Sequence, residues 1–232
     1  MKRRNCVETL EQFLAFPLEL IPFVVISLLI AFTVHEFAHA WVAYKFGDPT
    51  AKNQGRLTLS PIAHLDPIGT LLIFIAGFGW ARPVPVNRFY FKNPRLAGIF
   101  VSVAGPVSNL IVAAVTIFLF YILASIGVLS AMPPDVQLGV EQFVNVLIRL
   151  NIMLFVFNLL PFPPLDGYRI IEDLAPATIR AKMTQYESYG IILFLFLVIT
   201  PLDAYTITPF LQNGMSIVEN ILITLFSPIF GF

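Results

Sequence analysis

The stretch IPFVVISLLIAFTVHEFAHAWVAYKF, Ile21 to Phe46, decides the fold. Its first fourteen residues, Ile21 to Val34, carry no charge. As a helix they cover about 21 Å at 1.5 Å per residue. In a hydrocarbon layer about 30 Å thick, the His35-Glu36-Phe37-Ala38-His39 segment that follows lies inside the membrane, nearer the Lys45 end. His35 and His39 are one turn apart on the same helix face. Two imidazoles so placed can hold one tetrahedral Zn²⁺, and Glu36 beside them can take a proton from water held there. A lone helical histidine is more often a satisfied structural residue. Here, however, the pattern uses two of the chain's three histidines. It also sets a carboxylate at membrane depth, where an ionisable group costs about 2.5–3.5 kcal/mol and marks a functional site by default.

Composition extends the membrane reading to the whole chain. Of 232 residues, 57% are hydrophobic and only 12% charged, with a mean hydropathy of +0.82. Several apolar runs approach the length a spanning helix needs, which excludes an ordinary soluble domain. The formal net charge is zero, so no basic footprint points to nucleic acid. Cys6 is the single cysteine, which rules out an internal disulfide and a cysteine zinc site. Lys2, Arg3 and Arg4 are followed by Glu8 and Glu11 rather than by the apolar core and cleavage site of a signal peptide. The first helix is therefore expected to be retained.

In order, Val7–Phe16 reads as an amphipathic surface segment ended by Pro17, and the first span runs from about Leu18 to Phe46. From Asp48 to Arg95 the periodicity fades. Arg56–Ser60 reads as a short strand, and Ile68–Phe78, at about eleven residues, as a re-entrant segment too short to cross. Pro83 and Pro85 remove donors from one edge of the Trp80–Asn87 stretch and leave those of Val84 and Val86 on the other. Such an edge suits either a structural hairpin or pairing with an extended substrate. Leu96–Leu129 is the second span, with Gly98, Ser102 and Gly105 spaced for close helix contact. Pro106 is expected to kink it, and Asn109 is a polar group at membrane depth in need of a partner. Val140–Leu160 is the third span, with Arg149 within it paired or snorkelling. Tyr189–Pro201 and Ile217–Phe232 supply two more apolar segments.

The expectation is an all-α polytopic membrane protein: about five spanning helices, with a short re-entrant or β-hairpin region between the first two. Its parts are an interfacial segment (1–17), a catalytic transmembrane core (18–171) and C-terminal helices of the same membrane domain (172–232). Lysines and arginines concentrate between Lys45 and Arg95 and between Arg169 and Lys182, while the loops near Pro133 and Thr208 have none. That bias puts the open ends of helices two and three, and the histidines, toward the cytosol of a cell membrane. The N-terminal Lys2-Arg3-Arg4 cluster points the other way.

Two histidines and a water leave the metal one protein ligand short. Asp48, His64, Asp66, Asp166, Glu172 and Asp203 are the candidates. Topology favours Asp166, because the third span ends on the histidines' side. Pro161, Pro163 and Pro164 unwind the chain there, and Gly167 eases a close approach. Unwound backbone at membrane depth is tolerated where it lines a cavity. The competing reading of Asp166 is a helix cap at the membrane surface. His64 and Asp66 are also candidates to support the ligands from behind, and surface turn chemistry explains His64-Leu65-Asp66-Pro67 equally well.

At this point the motifs carry a resemblance. His35-Glu36-Phe37-Ala38-His39 and Asn158-Leu159-Leu160-Pro161-Phe162-Pro163-Pro164-Leu165-Asp166-Gly167 resemble the two signatures of the site-2 protease family of intramembrane zinc metalloproteases. The stretch Gly47 to Trp80, including Gly55–Leu59 and His64–Pro67, resembles the short prokaryotic members without a PDZ or CBS domain. Ser60-Pro61 stands where those relatives have Asn-Pro. The resemblance covers about Ile21 to Ile171. It implies one Zn²⁺ held by His35, His39 and Asp166, Glu36 as general base, and Asn158 near the metal, holding substrate or stabilising an oxyanion. Alternatively, Asn158 ties down the broken helix end. The implied activity is endoproteolysis within or next to transmembrane segments of membrane-protein substrates. A membrane zinc-binding or transport protein without hydrolysis is the rival. A prenyl-protein type of protease would instead need a glutamate ligand, Glu172 or Glu219. Substrate identity, regulatory partners and any homo-oligomer are not legible in the chain.

Overall fold

The computed structural model describes residues 14–77 and 79–231, so Cys6 and nearly all of the expected interfacial segment lie outside the described residues. Among these residues, seven helices of nine residues or more carry the architecture: α1 (Ile21–Lys45), α2 (Pro67–Ala76), α3 (Pro94–Ser125), α4 (Pro134–Asn158), α5 (Asp166–Leu174), α6 (Ala177–Ile199) and α7 (Ile207–Phe230). Among the described residues, four segments are long and apolar enough to cross a membrane: Leu18–Lys45, Pro94–Ser125, Pro134–Asn158 and Ile207–Phe230. The fifth expected span, α6, is apolar only in its second half, after Arg180, Lys182 and Glu187. The protein is an all-α polytopic membrane protein.

Local chemistry sets the helix boundaries. Pro22, Pro67 and Pro94 each sit in a first turn, where the missing N–H has no intrahelical partner to lose. Asp66 caps α2 by accepting from the Gly69 N–H at 2.8 Å, and Asn93 caps α3 by accepting from Leu96 N–H at 3.2 Å. With ten residues, α2 covers about 15 Å, half the hydrocarbon thickness, as expected of a segment that enters without crossing.

α1, α3 and α4 pack against one another in the centre, with α5 against α3 and α7 laid across α3 and α4. Val24, Leu28 and Phe32 of α1 meet Leu150 and Leu154 of α4 and Ile73 of α2. On the far side of α4, Ile152 and Val156 join Ala113 and Ile117 of α3 and Leu222 of α7. Arg149 is exposed on α4.

The expected strand at Arg56–Ser60 and the β-hairpin are corrected. Among the described residues no strand forms, and the only bridge pairs Leu65 with Ala81. The reason lies in where the donors go. Pro83 and Pro85 have no N–H, Val84 N–H is taken by Glu36 and Asn87 N–H by Asp48. Only Arg82 N–H, bonded to the His64 carbonyl at 2.8 Å, pairs as a ladder would.

Candidate metal centre

The break after α4 brings Asp166 back to the histidines. α4 stops at Asn158, the chain unwinds through Pro161–Pro164, and α5 restarts at Asp166. A Cβ on Gly167 would overlap the Leu159 carbonyl, so only glycine lets α5 begin this close beneath the end of α4. Asp166 makes no cap, and its Oδ2 is buried without a conventional donor. That oxygen lies 3.3 Å from Nε2 of His35 and 3.3 Å from Nε2 of His39, and the two Nε2 atoms are 3.0 Å apart.

The outer nitrogens explain which atoms face inward. His39 Nδ1 is 2.7 Å from the Val101 carbonyl, a pure acceptor, so Nδ1 carries the proton and Nε2 the lone pair. His35 Nδ1 is 2.7 Å from Oδ1 of Asn109, with the same consequence. Three lone-pair atoms thus converge on one point and repel unless a cation lies between them. Tetrahedral ligands on zinc at about 2.0–2.2 Å are separated by about 3.3 Å, so these residues fit that ion. No other group of three such ligands is found among the described residues.

The wall opposite is α3. A Cβ on Gly105 would overlap His39 Nε2 and lie 2.6 Å from Cε1 of His35. The glycine read as a helix contact therefore makes room for the imidazoles themselves.

Glu36 is 7% exposed, and its Oε2 accepts the Val84 N–H at 2.8 Å. The proline-flanked edge thus points one of its donors at the carboxylate. Arg56 donates to the Arg82 carbonyl at 2.5 Å and holds this extended segment from behind. Asn158 lines the same cavity; its Nδ2 donates to the Leu154 carbonyl at 2.9 Å, tying down the end of α4 with one of two amide protons.

The other ligand candidates are engaged elsewhere. Asp48 accepts from Thr50 and Asn87. His64 is fully buried rather than on a surface turn, with Nε2 donating to the Thr58 carbonyl at 2.7 Å. Asp66 is the cap of α2. Glu172 accepts from Arg169 and Thr184; burial opposes its charge, but those bonds prevail and hold its carboxyl below the usual range. Asp203 lies 3.5 Å from Thr208.

A cavity of about 910 Å³ runs from His35, Glu36 and Asp166 to a charged mouth containing Arg88, Arg169, Glu172 and Arg180. Behind that end lies the buried Asp173, paired with Arg88 at 2.5 Å and Arg180 at 3.5 Å. Sequence reasoning passed over Asn151, which is fully buried beside Asn109. Its signal was available: an amide inside the apolar run of α4.

Comparison with known proteins accords with this geometry. The family model described as Peptidase family M50 matches residues 125–200. Relatives bearing the name "Putative zinc metalloprotease" align over most of the chain. YwhC of Bacillus subtilis is 57% identical over 220 residues, 95% of this chain and 100% of its own. Rip2 of Mycolicibacterium smegmatis is 30% identical over 184 residues, 77% of this chain and 67% of its own. Rip2 of Mycobacterium tuberculosis is 32% identical over 185 residues, with the same coverage. No solved structure matches at a significant level.

Proposed function

Because the chain belongs to peptidase family M50, the site-2 proteases, we propose that it cuts peptide bonds within or next to transmembrane segments of membrane proteins, with His35, His39 and Asp166 as zinc ligands. The observation that carries this is the meeting of Asp166 Oδ2 with two imidazole lone pairs at 3.3 Å. Zinc, when bound, polarises water and the scissile carbonyl.

The remaining chemistry belongs to side chains. Glu36 accepts a proton from the attacking water and delivers it to the departing nitrogen. Val84 N–H fixes one oxygen of that carboxylate, which leaves the other for the water. Asn158, with one amide proton uncommitted, is placed to meet an oxyanion, an effect worth about 3–4 kcal/mol in comparable sites. The Pro83–Val86 edge lines the cavity, and an unwound substrate strand laid against it would bring its carbonyl beside Glu36. The lysine and arginine bias sets the site toward the cytosolic side of the cell membrane.

Glu36→Gln should abolish cleavage of membrane-protein substrates while zinc stays bound. Retained function in that variant would favour transport over hydrolysis. Asp166→Ala should lose zinc and Glu172→Ala keep it, scored as metal per purified chain. Val84→Pro should slow cleavage about tenfold or more, equivalent to about 1.4 kcal/mol; unchanged cleavage removes the edge from the mechanism.

A further inference from the structure

Asn109 and Asn151 are both fully buried, in helices that cross the membrane, and neither contacts the cavity. An amide in such surroundings must have every strong partner supplied by protein. Here the partners form a directed chain. Asn151 Nδ2 donates to the Leu147 carbonyl at 2.8 Å, so its Oδ1 must face the other way, toward Asn109. Asn109 Nδ2 donates to that Oδ1 at 3.0 Å and to the Ala31 carbonyl at 3.1 Å. Its own Oδ1 is thereby turned to His35 Nδ1 at 2.7 Å. Two backbone carbonyls, which can only accept, fix the direction of all the side-chain bonds.

We propose that Asn109 and Asn151 are positioning residues for the metal: a two-amide relay from α4 through α3 that locks His35 into the tautomer and ring orientation presenting the Nε2 lone pair to zinc. The inference rests on the reading of His35 as a ligand. Partners of the outer nitrogen of a metal-bound histidine typically change metal affinity by about 10–100-fold when lost. A single backbone carbonyl, Val101, does the same for His39. His35 has none in place, because Asn109 occupies that position. Asn109 also bonds to Ala31, one turn before His35 on the same helix, so one amide fixes both the ring and the helix that bears it.

The test measures zinc affinity of the purified full chain by competition with a chromogenic chelator, alongside the d–d spectrum of the Co²⁺-loaded protein. Asn109→Leu is expected to weaken zinc binding about 10–100-fold and to alter the Co²⁺ bands. Asn151→Leu, which leaves the Ala31 bond to orient Asn109, should give a smaller loss. Asn151→Asp keeps the acceptor facing Asn109 and should bind zinc more tightly than Asn151→Leu. Wild-type affinity and spectrum in Asn109→Leu would overturn the relay. If Asn109→Leu does not fold, wild-type affinity in Asn151→Leu overturns it instead, as does an Asn151→Asp affinity no better than that of Asn151→Leu. His35→Ala separates the two readings: zinc lost there but kept in both relay variants removes the relay alone, whereas zinc kept in His35→Ala removes the ligand reading too.

Discussion

α1 buries eleven of its 25 residues, five of them polar or charged, whereas α6 buries one of 23 and α7 two of 24. Both regions are helical and apolar, yet they are built differently. The α1–α3–α4 centre closes on small residues, Ala31, Ala40, Ala43 and Ala113, and on polar groups that satisfy one another, Asn109, Asn151 and His35. The apolar part of the C-terminal pair buries few side chains fully: Phe194 in a cluster with Leu160, Leu165 and Ile207, and Leu222 against Ile152 and Val156. In lipid, burying an apolar side chain between helices gains little over leaving it against acyl chains. Close packing and interhelical hydrogen bonds decide association instead. The centre has both throughout; in the C-terminal pair the polar contacts gather at the first half of α6, where Arg180, Thr184 and Glu187 meet Asp173, Glu172 and Arg169 of α5.

Substitutions should therefore separate the two regions. The largest effect is expected from Gly105→Ala, whose Cβ would lie 2.5 Å from Cε1 of His39. Zinc binding should be lost, and overpacking should add a cost of about 1–3 kcal/mol, read as metal content and thermal unfolding in detergent. Asp173→Ala probes the joint between the regions. It leaves Arg88 and Arg180 without their shared buried carboxylate, a loss of about 3 kcal/mol, the low end for broken buried pairs because both arginines are partly exposed. Zinc should remain bound, and α6 should become the first helix cut in limited proteolysis. Phe194→Ala should cost about 1–2 kcal/mol, less than the 3–5 typical of soluble cores because lipid replaces the lost contacts. Zinc affinity should not change; a tenfold loss would show that the C-terminal pair supports the site directly. Ile199→Ala, at a position 77% exposed, should shift stability by no more than about 0.5 kcal/mol.

The asymmetry also explains what the chain disclosed before its fold was known. Residues whose chemistry is rare in a membrane announced themselves: His35, Glu36 and His39 on an uncharged helix, Asp166 after a proline-rich break, Asn109 in mid-span. Spans were readable for the same reason, since apolar length is a strong signal. The hairpin was misread because its alternation was real while its donors were spent on Glu36 and Asp48, two side chains distant in sequence. Gly105 read as a generic helix contact because the atoms it accommodates belong to another helix. The Val101 carbonyl was invisible in principle, since every residue has one. Asn151 was passed over in favour of Asn109, although the two amides are members of one directed chain of hydrogen bonds.

Hydrolysis of a peptide bond consumes a water molecule and leaves two charged ends, one ammonium and one carboxylate, neither of which rests comfortably in hydrocarbon. The cavity that joins Glu36 to Arg88, Arg169 and Glu172 offers a corridor for both problems at once. In the proposed reaction, solvent would enter past the partly exposed Arg88, Arg169 and Arg180, and freshly made termini would leave toward groups of opposite sign. The opening that would admit water to the proposed hydrolysis beneath the lipid surface would thus give each turnover a polar exit.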